Sequence, residues 1–452
     1  MSTSALRRSL SAAALVLAAA PLHAGTLKVP SQFESIQAAV DVAVAGDTVL
    51  VSKGTYSENV LVVTSGITLK GKSATVNGGY SGDCILVQAD DVAIEGFTLV
   101  NGGGAPLKAA PGDGTPTGGL HVTGTGASIS KLTVSACEAY GIFLNGTGSV
   151  EKCTVDACNG DGIRVDTDDI LGQVTTTISK NTVTRCDEGI TAADGPFLIE
   201  KNTCELNEGP GLFVSIPALA LEGFPAIQPT TVSKNEARYN HDDGLFVDKQ
   251  SGPALVVDKN VCEHNDAGCQ VSGFVLEITG NTFDDNNFGG LYVLATGCTV
   301  SKNKVRGNGD VGIFVGSGSI FDDGSASDGS NVFVQDTVQD NGGDGIHIVS
   351  GSNSVDVCTF KDNIGDGVDV DDGASDNALT ENKITGNTHD GIDNSGQLTL
   401  IIGNTCKDNG GADLAGAGDG TGTVDKASAD NVVGDGSDFS TTGELELATI
   451  VF

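Results

Sequence analysis

A four-residue pattern recurs along most of this chain with a period of about 22 residues, and that period constrains the fold more than any other feature. Gly-apolar-x-apolar occurs twelve times between Gly119 and Gly391, as in Gly141-Ile142-Phe143-Leu144, Gly162-Ile163-Arg164-Val165, Gly211-Leu212-Phe213-Val214 and Gly290-Leu291-Tyr292-Val293. The remaining tetrads open at Gly119, Gly189, Gly244, Gly268, Gly312, Gly345, Gly367 and Gly391, so most intervals are nearly equal and a few are longer. A fixed period of roughly 20–50 residues is the mark of a solenoid. A second motif runs in phase with the first: two Asn five positions apart precede the glycine, at Asn202/Asn207, Asn235/Asn240, Asn281/Asn286, Asn303/Asn308 and Asn382/Asn387. Short, β-branched segments with period-2 alternation, bounded by Gly, Asn and Asp, read as strands. Several such strands per period make one coil of a β-solenoid, and stacking coils buries a core that no single coil closes. The recurrent Asn suits inward turn positions, where stacked amides hydrogen-bond from coil to coil.

The segment 1–24 reads as a secretion signal. Arg7 and Arg8 form the basic start, Leu10 to Ala20 the short apolar stretch, and Leu22-His23-Ala24 the cleavage site. The expected location is secreted or periplasmic, with no transmembrane segment, because no later stretch reaches about 18 apolar residues. The formal net charge is −35, which argues against nucleic acid as a partner. Eleven cysteines in an exported chain would ordinarily suggest disulfides. Each of them instead falls in an inward column of the repeat, as a small buried hydrophobe would. Same-column neighbours are roughly 4.8 Å apart, so Cys158 is within disulfide reach of either Cys137 or Cys186.

Residues 31–46 stand apart from the repeat. Phe33, Ile36, Val40 and Ala43 lie at helical spacing between Ser31, a candidate N-cap, and Gly46, so a short helix capping the first coil is expected. The solenoid is expected over 25–415, followed by a Gly/Asp-rich tail over 416–452 with a closing strand at Glu444–Phe452. Beyond a Gly/Pro-rich loop at 101–118, insertions at 166–173, 215–229 and 316–331 all leave just after the tetrad strand, so they rise on one side and can wall a groove.

Four segments at the start of the chain carry a family resemblance: Ile36-Gln37-Ala38-Ala39-Val40, Gly46-Asp47-Thr48-Val49, Gly54-Thr55-Tyr56-Ser57-Glu58-Asn59-Val60 and Ile67-Thr68-Leu69-Lys70-Gly71. With the Asn-rich coils, they resemble the pectin-lyase-like proteins over about residues 26–415. The resemblance implies an all-β fold, a single right-handed parallel β-helix, and implies no one activity. Gln335-Asp336-Thr337-Val338 is similar to a pectin methylesterase motif, yet Asp336 sits in an Asn column and the chain has no Trp for the family's Arg-Pro-Trp. The Gly-His-Gly and Arg-Ile-Lys of polygalacturonases are absent, and Arg164, Arg185, Arg238 and Arg306 lack the setting of a pectate lyase base.

What chemistry the residues offer lies on the outward position of the tetrad. Phe213, Phe246, Tyr292 and Phe314 suit stacking on sugar rings, with Arg164 as a further substrate contact. The bland account is a secondary core under the insertions. Toward the C-terminus the same column turns acidic. Asp369 and Asp393 fall in adjacent coils, roughly 5 Å apart, with His347 one coil earlier; these three form the candidate catalytic group, at the spacing of a retaining glycosidase pair. Asp369, Asp371 and Asp393 are the candidate metal ligands, and their oxygens suit Ca2+. The Asp residues just before the tetrad glycines, as in Asp366-Gly367 and Asp390-Gly391, read as turn residues. A lysine column (Lys131, Lys152, Lys180, Lys201, Lys234, Lys259, Lys302) precedes the first Asn and reads as a solvated row. Two classes stay open: an exported protein that binds and processes an extracellular polysaccharide, and a non-catalytic surface or matrix scaffold or adhesin.

Overall fold

In a computed structural model of the chain, the residues described are 24–104, 117–167, 174–216, 228–250, 252–316, 329–396, 399–412, 414–416, 426–427, 432–433 and 439–441. Each full coil runs through three strands. Ile142–Asn145, Gly148–Glu151 and Thr154–Asp156 are one such set, and the chain then returns to Ile163–Asp166, which lies parallel on Ile142–Asn145. The tetrad strands stack into one sheet of 16, from Val60–Val62 to Phe439–Thr441, and the other two strands of each coil form a bent sheet of 31. The result is a right-handed parallel β-solenoid of about 16 turns. In the first coils the bend is gentler, and Thr68–Asn77 and Ala93–Val100 run through it as single strands.

The repeat can be read residue by residue in this geometry. In the tetrad strand the two apolar residues point inward and the residue between them outward, as in Leu212 (buried), Phe213 (half-buried) and Val214 (buried). The tetrad glycine is there for space, since a Cβ at Gly141 would lie 2.2 Å from Val155 and 2.6 Å from the Gly162 carbonyl oxygen. The lysine column forms a corner of the solenoid. All seven lysines have φ between 55° and 58°, in the left-handed region, and the Asn, Cys or (after Lys131) Leu that follows is buried at the bend.

There the amides form ladders. The backbone N–H and the side-chain amide of Asn181 both donate to Asn202 Oδ1 at 3.0 Å, and the same amide donates to the Val150 carbonyl at 2.9 Å. This ladder continues through Asn235, Asn260 and Asn281 to Asn303. A second runs from Asn207 to Asn409. A third, Asn331–Asn353–Asn377, occupies the corner after the tetrad strand and has no counterpart in the repeat motif. All eleven cysteines are free and buried. Cys186 heads the second ladder, its N–H donating to Asn207 Oδ1 at 3.0 Å.

Two expectations change. The helix expected over 31–46 is one turn, Ile36–Val40, capped by the Ser35 side chain rather than by Ser31. The Lys28 carbonyl takes the N–H groups of Gln32 and Phe33 in a turn, which removes those residues from any helix. The parallel register also continues past 415: Leu400 pairs with Lys426, Thr405 with Val432 and Leu414 with Phe439, adding a further coil where a loose tail was expected. The signal segment up to residue 23, most of the inserted residues and the expected closing strand at 444–452 lie outside the described residues. No helix among the described residues is long and apolar enough to cross a membrane.

Candidate functional site

Parallel pairing in register turns the outward tetrad position into a line of side chains along the solenoid. It reads His121, Phe143, Arg164, Thr191, Phe213, Phe246, Gln270, Tyr292, Phe314, His347, Asp369, Asp393. Neighbouring rings meet. Phe213 and Phe246 stack with centroids 5.2 Å apart and planes 10° from parallel. Tyr292 and Phe314 are tilted at 6.1 Å, and Phe314 meets His347 edge-on at 5.5 Å. These four aromatic residues are half-buried, so part of each ring remains open. Beside them lies a cavity of about 320 Å³ lined by Tyr292, Asp310, Val311, Phe314, Asp344 and His347.

The acidic end follows directly. His347 Nε2 lies 3.5 Å from Asp369 Oδ2 and 3.1 Å from Asp371 Oδ1. Asp369 and Asp393 are register partners in adjacent strands. Burial pushes the Asp369 carboxyl up to about 7; His347 pulls it down, and Asp344, Asp371 and Asp393 push it further up. Burial also raises Asp393, with Asp390 adding to it. A carboxyl raised in this way keeps its proton well above the usual carboxylate range, the condition a general acid needs.

The Asp residues before the tetrad glycines do hold the turns. Asp344 Oδ1 accepts from the Asp366 N–H at 2.7 Å, and Asp366 Oδ1 from the Asp390 N–H at 2.6 Å. Asp344 does more than this. Among the described residues, the one triple of metal-type donors lying within 4.8 Å of one another is Asp344, His347 and Asp369. Of the expected ligands Asp369, Asp371 and Asp393, only Asp369 belongs to this triple. An imidazole nitrogen with two carboxylates suits Zn2+ or Mn2+ better than the expected Ca2+, which favours an all-oxygen shell.

Arg164 is not free to meet a ligand carboxylate. Its guanidinium lies 2.8 Å from Asp166 and 3.5 Å from Asp161, with its carbon 6.0 Å from the Phe143 ring centre. The tetrad column begins at His121, in Gly119-Leu120-His121-Val122, ahead of the residues singled out from the sequence. His121 stacks on Phe143 at 4.8 Å; its Nδ1 is 3.7 Å from Asp83, and its buried Nε2 has no partner among the described residues. The tetrad pattern marks His121, whereas nothing in the repeat marks Asp83.

A family model described as a right handed beta helix region matches residues 118–273, 225–383 and 344–448. Among solved structures, the A-module of mannuronan C-5 epimerase AlgE6 from Azotobacter vinelandii is 16% identical, with 83% of this chain and 94% of that one covered and a TM-score of 0.42. An alginate lyase described as PL6, in complex with a trisaccharide, is 12% identical over 84% of this chain and 85% of that one, with a TM-score of 0.42. Pectate lyase Pel9A is 13% identical over 69% and 76%, with a TM-score of 0.34. No curated protein matches the sequence.

Proposed function

The chain belongs to the right handed beta helix family, and on that scaffold we propose that the tetrad-strand face binds an extracellular polysaccharide and processes it at the acidic end. One observation carries the reading: a single column passes from paired, half-open aromatic rings into His347, Asp369 and Asp393, with a cavity at the junction. Aromatic faces stack on the C–H faces of sugar rings. Asp369 supplies the proton to a leaving glycosidic oxygen, and Asp393, roughly one coil spacing of about 5 Å away, stands at the distance of the partner carboxylate in a retaining pair. His347 lies against Asp369 and Asp371, and its charge favours the ionised form of Asp369 after the proton has left. Export by the N-terminal segment that ends at Ala24 belongs to the same proposal; a divalent cation held by Asp344, His347 and Asp369 would need Asp369 ionised and would therefore inhibit the proton transfer.

Glycan-array binding followed by product analysis tests it. Phe246→Ala/Tyr292→Ala should weaken binding about tenfold or more, the loss of two stacking contacts, while unfolding stays cooperative. Asp369→Asn/Asp393→Asn should keep binding and lose cleavage. Unchanged binding in the aromatic variant would sink the proposal. Binding without any product in the parent would leave the scaffold or adhesin class, which the missing enzyme motifs favour. Zn2+ or Mn2+ should raise the unfolding temperature more than Ca2+ does, and the gain should vanish in His347→Ala.

A further inference from the structure

The face that would hold the glycan is short of positive charge. Between Gly119 and Gly391, consider the outward column with the residue before each tetrad glycine and the residue after each tetrad. Together these positions hold eleven carboxylates, one Arg and no Lys. That Arg is Arg164, already bracketed by Asp161 and Asp166. The segments 166–173, 215–229 and 316–331 add no Lys or Arg.

One of the carboxylates is buried without a counter-charge. Asp243 is 8% exposed, and among the described residues no hydrogen bond or ion pair reaches its carboxylate, while Asp242 and Asp266 add like charge. It stands in the same column as Asp344, joined to it coil by coil through backbone hydrogen bonds at Ala267, Gly289 and Val311. The span between them is four coils, about 19 Å at β-strand spacing. Between them, Ala267 is small, and the Tyr292 ring folds back over Gly289, where a Cβ would lie 2.7 Å from it. The Gly289 N–H donates to the Tyr292 hydroxyl oxygen at 3.1 Å, and the charge of Asp243 is felt at that hydroxyl. Asp243 and Asp344 thus stand four coils apart beside the aromatic line, with the cavity at Tyr292 and Phe314 next to Asp344.

We propose that this face takes a glycan whose rings carry free amino groups, cationic at neutral pH, with Asp243 and Asp344 as the seats of two ammonium groups. A polyuronate would bring a carboxylate per ring against a row of carboxylates in which Arg164 offsets only Asp161 and Asp166. A neutral glycan would stack but leave Asp243 buried and unpaired, which is costly. An ammonium group supplies a charge and three donors.

This inference rests on the glycan-binding reading, and its test separates the two. Titration calorimetry of the full-length protein in EDTA would compare a glucosamine oligomer, its N-acetylated counterpart and an oligouronate of the same length. The glucosamine oligomer should bind about tenfold tighter than the N-acetylated one, the size of one partly screened charge pair, and its affinity should fall as salt rises. The oligouronate should not bind. Asp243→Asn, close to isosteric, should bring the ratio of the first two toward one with the unfolding temperature maintained. If the N-acetylated or uronate oligomer binds as tightly as the amino one, the amino-sugar inference is wrong and the glycan-binding reading stands. If none of the three binds, both fall.

Discussion

Asp336 shows how a single residue inherits its state from its place in a column. It occupies an Asn position in the first ladder, 1% exposed, where its Oδ1 accepts both the N–H and the amide of Asn303 at 2.7 and 2.9 Å. Its Oδ2 is buried with no partner among the described residues. An Asn there would use that position to donate to a carbonyl of the preceding coil, as Asn303 does to Ile278 at 3.0 Å. Only a protonated carboxyl can do the same. Burial accordingly pushes Asp336 up to about 7, against the lowering effect of the Asn303 donors. The folded state therefore holds a proton that the unfolded chain releases near its ordinary value of 3.8. The stability this confers is complete below that value and is lost as pH rises through about 7. Asp336→Asn should remove the dependence: measured by denaturant unfolding, the variant should gain over the parent between pH 4 and 8, by about 1–3 kcal/mol at the upper end, the cost of an unsatisfied buried polar group. A constant difference across that range would show that Asp336 is ionised in the folded chain. The gain also distinguishes Asp336 from the other raised carboxyls, which are common to parent and variant.

At the scale of the element, the ladder is what makes a corner built on buried Asn stable. Asn265 accepts the N–H and the amide of Asn240 at 3.0 and 2.9 Å and donates to the Ala237 carbonyl at 3.0 Å and to Asn286 at 3.3 Å. Asn265→Ala would strand donors above it and a carbonyl beside it in a buried column. It should cost about 3 kcal/mol in denaturant unfolding, several unsatisfied groups at about 1 kcal/mol each as the lower bound. Asn265→Cys should cost less, because the sulfur accepts weakly and Cys137, Cys158 and Cys186 already fill that column. Equal losses in the two variants would mean that the column is held by packing alone. The same stacking sets the aromatic line: ring contacts follow from register, so the break at Gln270 falls where one outward residue has no ring.

For the whole molecule, the core is one continuous cluster running from Val29 to Leu414, and eleven of its members are thiols. Burial raises those that respond, Cys84 and Cys153 to about 12, so the thiolate needed for reaction is suppressed as well as shielded. Native protein should react with few equivalents of a thiol reagent, and denatured, unreduced protein with close to the eleven cysteines of the sequence. A shortfall of four or more before reduction would mean that disulfides, not single thiols, fill the columns. A solenoid also distributes its stability along its length. The acidic end and the aromatic line therefore share one rigid frame.

What the amino-acid sequence determined by itself is everything periodic. The Gly tetrad, the paired Asn columns and the placement of the cysteines each repeat within one coil, so local alternation is enough to assign the inward and outward positions. It was enough to put Phe213, Phe246, Tyr292, Phe314, His347, Asp369 and Asp393 on one line. The tertiary structure decided what depends on neighbours a whole coil away along the chain. It set Asp344, which still holds its turn, near His347, placed Arg164 between two carboxylates, built a third Asn ladder and set Asp83 beside His121. It also cut the expected helix to a turn and carried the coils past 415. The physical reason is common to all of these: a period specifies which face a residue occupies, whereas the partner it meets is fixed by the reach of side chains across columns, and no period within one coil encodes that.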